Sequence, residues 1–61
     1  MKVDWYDDVL LKDGQEGCVI EIYKSDEGET GYEIELSDDP HDSKTITVSI
    51  NEIEKVIRKN K

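Results

Sequence analysis

Few residues in this chain could carry chemistry, and their types and spacing argue against most of it. One cysteine, Cys18, and one histidine, His41, occur among 61 residues. His41 stands in Asp38-Asp39-Pro40-His41-Asp42, and an imidazole among carboxylates suits a divalent metal. No second histidine is present, and the aspartate spacing does not match a calcium loop. The expectation is a solvated loop histidine and no metal site. Cys18 would need a nearby base and an electropositive setting to act as a nucleophile. It follows Gly17 at the head of an apolar run in an acidic chain, which raises a thiol pKa, so core packing is expected. Glu33 and Glu35 lie two apart, on one face of a strand. Paired carboxylates can share acid–base work, but only in a cleft that excludes water, so they read as a water-facing strand face. Nucleotide, kinase and hydrolase motifs are all missing. No catalytic residue and no cofactor are expected.

Trp5 and Tyr6 are different. They precede the first apolar run and are flanked by Asp4, Asp7 and Asp8. Their expected job is to cap one end of the core. The alternative is an exposed anchor, because Trp and Tyr dominate interface hot spots.

Charge narrows the partners. The net charge is −8, but residues 1–54 hold all 16 acidic groups against four lysines, a formal −12, while Lys55, Arg58, Lys59 and Lys61 give the end of the chain +4. A field of that sign repels polyanions, so direct nucleic-acid binding is not expected. The acidic surface serves solubility, or it meets a basic partner.

The length allows one domain, residues 1–61, with 34% hydrophobic and 39% charged residues. A chain this short builds one thin core, without the roughly 300 Å³ that a small-molecule pocket usually needs. A lone cysteine excludes the disulfide framework of small secreted domains. No apolar run reaches the ~20 residues of a membrane span, and the first residues lack a signal-peptide pattern. A cytoplasmic location, without membrane contact, is expected.

The elements that must position these residues are strands. Residues 7–12 read as a first strand, ended by Asp13-Gly14, a strong turn signal. Gly17, at the mouth of the second strand, is expected to need a positive φ or a close backbone approach. Residues 18–23 form that strand, and period two puts Cys18, Ile20 and Ile22 on one face, with Val19, Glu21 and Tyr23 on the other. Residues 24–31 form a hairpin loop. In Tyr32-Glu33-Ile34-Glu35-Leu36, apolar and acidic residues alternate strictly, one face core and one face water. Residues 37–43 read as a loop. Residues 45–50 alternate again, with Ile46, Val48 and Ile50 inward. Ser49-Ile50-Asn51-Glu52 matches a capping box, and Ile50, Ile53 and Ile57 fall at helical spacing. A single turn and a strand over 55–58 fits as well and is preferred, because four strands need closure to hide their edges.

The run Val9-Leu10-Leu11-Lys12-Asp13-Gly14-Gln15-Glu16-Gly17-Cys18-Val19-Ile20-Glu21-Ile22-Tyr23 resembles the opening of small bacterial SH3-like barrels, including KOW-type modules. Tyr32-Glu33-Ile34-Glu35-Leu36 and residues 48–56 fit the same pattern, so the resemblance covers about residues 7–58. It implies an all-β, five-stranded SH3-like barrel with one short helical turn before the last strand. KOW-type modules present basic loops to RNA, whereas the loops here carry Asp26, Glu27, Glu29, Asp38, Asp39 and Asp42. Peptide-binding SH3 domains line a groove with several aromatics, and this chain offers only Trp5, Tyr6, Tyr23 and Tyr32. Such barrels host many unrelated functions.

The expected function is a non-enzymatic, acidic protein-interaction module, a monomer or weak dimer. Its partner-binding residues are expected among Trp5, Tyr6, Glu33, Glu35, Asp38 and Asp39. The alternative is a phage or mobile-element inhibitor or immunity-type protein whose acidic face mimics nucleic acid and blocks a basic groove.

Overall fold

The computed structural model describes residues 1–26, 28–36 and 44–60. The expected loop over 37–43, with Asp38, Asp39, His41 and Asp42, lies outside the described residues.

Five strands form: β1 Asp8–Leu11, β2 Glu16–Tyr23, β3 Gly31–Leu36, β4 Thr45–Ser49 and β5 Ile53–Arg58. All pairings are antiparallel, in the order β4-β3-β2-β1-β5. Among the described residues, the fold is all-β apart from one 3-10 turn, Ile50–Glu52. Gly14, at φ 95°, turns β1 into β2, a conformation that Gly adopts without steric cost.

β3 follows its alternation. Tyr32, Ile34 and Leu36 are buried, Glu33 is half-buried and Glu35 exposed. β2 departs from the expected faces. Val19 is fully buried, while Cys18 and Ile20 are only partly covered. The reason is a bulge. Val19 opposes Ile34 and Glu21 opposes Glu33, so Ile20 is an extra residue. One inserted residue reverses the facing that strict period two assigns. Gly17 and Val19 point inward before it, and Ile22 packs against the core after it. Cys18 is therefore not a core residue.

The end of the chain is turn and strand. Glu52 accepts a hydrogen bond from the Ser49 backbone N–H at 3.0 Å, and Lys12 N–H donates to the Glu52 carbonyl at 2.9 Å, which fixes the turn on β1. Ile53 is buried, but Ile57 is 46% exposed. The helical spacing of these isoleucines has no counterpart in the fold. Ile57 and Glu54 are instead extra residues in β5, where the register against β1 shifts twice.

The core lies on one face of the sheet. Val9, Val19, Ile34 and Ile53 are its best-buried apolar side chains, each stabilising by roughly 1.5–3 kcal/mol. Gly17 sits where sheet and core are tightest. A Cβ there would come within 2.5 Å of the Glu35 carbonyl oxygen and of Ile34 Cγ2. Close approach, not a positive φ, explains this glycine.

Candidate functional site

The segment before β1 is built around a turn with aromatic residues at its tip. Asp7 N–H donates to the Asp4 carbonyl at 3.3 Å, and Asp4 N–H donates to Asp7 Oδ2 at 2.9 Å. Trp5 and Tyr6 are the central residues of this four-residue turn. Tyr6 has φ 64°, and no other described non-glycine residue has a positive φ. Turns needing a positive φ at this position normally use Gly or Asn, and a bulky residue there costs about 1–2 kcal/mol. Two hydrogen bonds hold it in place. Tyr6 N–H donates to the Val19 carbonyl at 2.7 Å, and Val19 N–H donates to the Asp7 carbonyl at 2.9 Å.

The rings do not cap the core as expected. Trp5 is 45% exposed and Tyr6 55%, while Val3 fills the inward position of this segment. The two rings lie 6.0 Å apart, tilted at 49°, within the range of favourable aromatic pairs. Behind Trp5, a hollow of about 350 Å³ runs between the first residues and the β2–β3 hairpin, walled by Val3, Ile22, Lys24, Thr30 and Tyr32.

Asp7 anchors the turn from below. Its side chain has no exposed surface. It accepts from Lys59 Nζ at 2.8 Å and from the Asn60 backbone N–H at 2.8 Å. Lys59 also reaches Asp4 Oδ2 at 3.0 Å. Burial alone would raise the Asp7 pKa, but Lys59 and the N–H donors of Asn60 and Asp4 outweigh it and hold the carboxyl below its ordinary value. The same contacts push the Lys59 ammonium up. Lys59 thus belongs to a clasp between the two ends of the chain, which no local sequence signal announces across 52 positions.

The outer face of the sheet is acidic. In register, Glu35 opposes Cys18 and Thr45, and Glu33 opposes Glu21 and Thr47. Cys18 opposes Asp8, which pairs with Arg58 at 3.6 Å. Glu33 and Glu35 therefore point away from the core as expected, and Glu21 and Asp8 join them. Glu33 accepts from the Tyr23 hydroxyl at 2.8 Å, a bond that raises the Tyr23 pKa, helped by partial desolvation and the charges of Glu33 and Glu21. Burial, then the charges of Asp8, Glu35 and Asp7, push the Cys18 thiol up. A thiol so placed is a poor nucleophile at neutral pH.

Among the described residues, no three His, Cys, Asp or Glu side chains are grouped to hold a metal ion, and no helix is long and apolar enough to cross a membrane. Asp38 and Asp39 lie outside the described residues, so the site comprises Trp5, Tyr6, Glu33 and Glu35, with Asp7, Asp8 and Glu21 added by the geometry. Trp5 and Tyr6 are together at one end, and the glutamates form a separate face. Comparison with protein-family models, with curated proteins and with solved structures finds no match for this chain.

Proposed function

We propose that this chain is a non-catalytic protein-interaction module of the cytoplasm that docks on one protein through Trp5 and Tyr6. The observation that carries the reading is Tyr6 at φ 64°. A glycine would hold the turn without strain, yet the position carries a large ring that is half in water. Strain retained at an exposed aromatic residue is a mark of a functional site. The strand order, the bulge in β2 and the turn before β5 support an SH3-like barrel as the scaffold. The test compares baits in a host lysate, followed by titration of the retained protein. Trp5→Ala and Tyr6→Gly are each expected to weaken its binding at least tenfold with the fold intact. A partner bound equally by both variants overturns the reading.

A second reading has its own observation: Asp8, Glu21, Glu33 and Glu35 share the outer face in register. Such a face supports an inhibitor or immunity-type protein of phage or mobile-element origin that imitates a nucleic-acid backbone in a basic groove. Binding of that kind weakens steeply with salt and fails in the Glu33→Lys, Glu35→Lys double variant. Docking through the aromatic turn survives both.

A further inference from the structure

Among the described residues, the strand order leaves β4 at one end of the sheet, paired with β3 alone. Two bonds show which of its backbone groups face outward. Leu36 N–H donates to the Lys44 carbonyl at 2.9 Å, so Lys44, Ile46 and Val48 direct their backbone toward β3. Ser49 N–H instead goes to Glu52, away from β3. Thr45 and Thr47 therefore present N–H and C=O at the open edge, while the Ser49 carbonyl turns into the 3-10 turn that Ser49 caps.

The strand reads Thr45-Ile46-Thr47-Val48-Ser49. In a chain with 39% charged residues, it holds no charge, no glycine and no proline, and its pairing with β3 has no register shift. Native edges are usually blunted by such devices. The strand is also self-complementary about Thr47. Run antiparallel against itself, it sets Thr47 opposite Thr47, Thr45 opposite Ser49 and Ile46 opposite Val48. The hydroxyl residues then share the outer face and the branched apolar residues share the inner one. Beside Ile46 and Val48, a hollow of about 220 Å³ opens toward Leu11, rimmed by Lys12, Asp13 and Glu52.

We propose that β4 pairs antiparallel with β4 of a second copy of this chain, about a two-fold axis at Thr47. Each Thr47 N–H donates to the other copy's Thr47 carbonyl. The contact is isologous, and it joins two five-stranded sheets into one. It is separate from the aromatic turn and does not depend on the docking reading. Two chains of net charge −8 repel at long range, so added salt tightens this association. The dependence is opposite to that expected for a basic partner at an acidic face.

Sedimentation equilibrium from micromolar to millimolar chain, at low and high salt, tests the proposal together with amide hydrogen exchange at the same concentrations. A monomer–dimer equilibrium that strengthens with salt is expected, with exchange at the Thr47 amide slowing as concentration rises. Thr47→Lys sets two like charges opposite each other at the axis and is expected to weaken association at least tenfold. Thr47→Pro removes the N–H at the axis but leaves the β3 ladder its donors, and is expected to do the same. Because Thr47 is exposed, Thr47→Lys is expected to keep the parent's urea midpoint, so it decides if the proline variant unfolds. A chain that stays monomeric at millimolar concentration, or a dimer that survives Thr47→Lys, overturns the proposal.

Discussion

The two edges of this sheet are managed in opposite ways. β5 departs from β1 register twice, at Glu54 and Ile57. It carries Lys55 and Arg58 on exposed positions, and the chain after it is clasped to Asp7 through Lys59 and Asn60. Bulges twist an edge away from a second strand, and charges repel one. β4 has neither device. Each strand pairs with an inner strand over a few residues, so length does not separate them. A small antiparallel sheet needs protection at any edge that is not meant to pair. The lesson is that an unguarded edge in an otherwise heavily charged chain calls for an explanation, and pairing with a like edge supplies one.

The comparison breaks first at the centre that both edges share. Gly17→Val forces its new atoms against the Glu35 carbonyl and Ile34, backbone and core that cannot yield cheaply. Overpacking of this kind is expected to cost about 3 kcal/mol, read as a lower urea midpoint. An unchanged midpoint would show that β2 and β3 can separate there, and that the edges are not held by one rigid middle.

Asp7→Asn acts on the β5 side and on the aromatic turn that Asp7 anchors, and leaves β4 alone. Removing one partner of a buried ion pair is costly, but Lys59 is half exposed and water screens it, so about 1–2 kcal/mol is expected. The sign of the pH dependence follows from the depressed Asp7 pKa. The carboxylate contributes stability that is whole above the ordinary value of 3.8. That contribution drains away as the pH falls from there through the lower folded value. The stability curves of parent and variant therefore converge below about pH 3.8 and separate above it. Self-association through β4 is expected to be untouched.

The smallest effect sharpens the difference between edges. Lys55→Thr removes one charge from β5 but leaves both bulges. Stability is expected to change by no more than about 0.5 kcal/mol, and no new association is expected in sedimentation. Association gained by this variant would mean that charge, not strand shape, guards β5.

Strand positions were legible where alternation was uninterrupted. Tyr32, Ile34 and Leu36 declare the inner face of β3, and Asp13-Gly14 declares the turn from β1 to β2. Gly17 was legible as a constraint, though two physical causes remained open. The faces of β2 were not legible, because a bulge leaves no mark in Cys18-Val19-Ile20-Glu21, where three apolar residues run in succession and offer no alternation for the inserted Ile20 to interrupt. Of the candidate site, the exposure of Glu33 and Glu35 follows from period two. The exposure of Trp5 and Tyr6 does not, since large rings more often fill a core. Asp7 looked like one of several acidic flanking residues. Its burial depends on Lys59 and Asn60, and pairing between chain ends is invisible to any local pattern.

The same clasp has a kinetic consequence. Its bonds join positions 52 and 53 apart in the sequence, so closing it restricts nearly the whole chain at once. Contacts of such long separation give little return until the strands between them are already in place. The clasp should therefore be absent from the folding transition state. Loosening it is expected to speed unfolding while leaving the folding rate almost unchanged. In a chevron, Asp7→Asn would lift the unfolding limb and leave the folding limb where it was. The lifetime of the native state, more than the rate of reaching it, rests on the hold that Lys59 and Asn60 keep on Asp7.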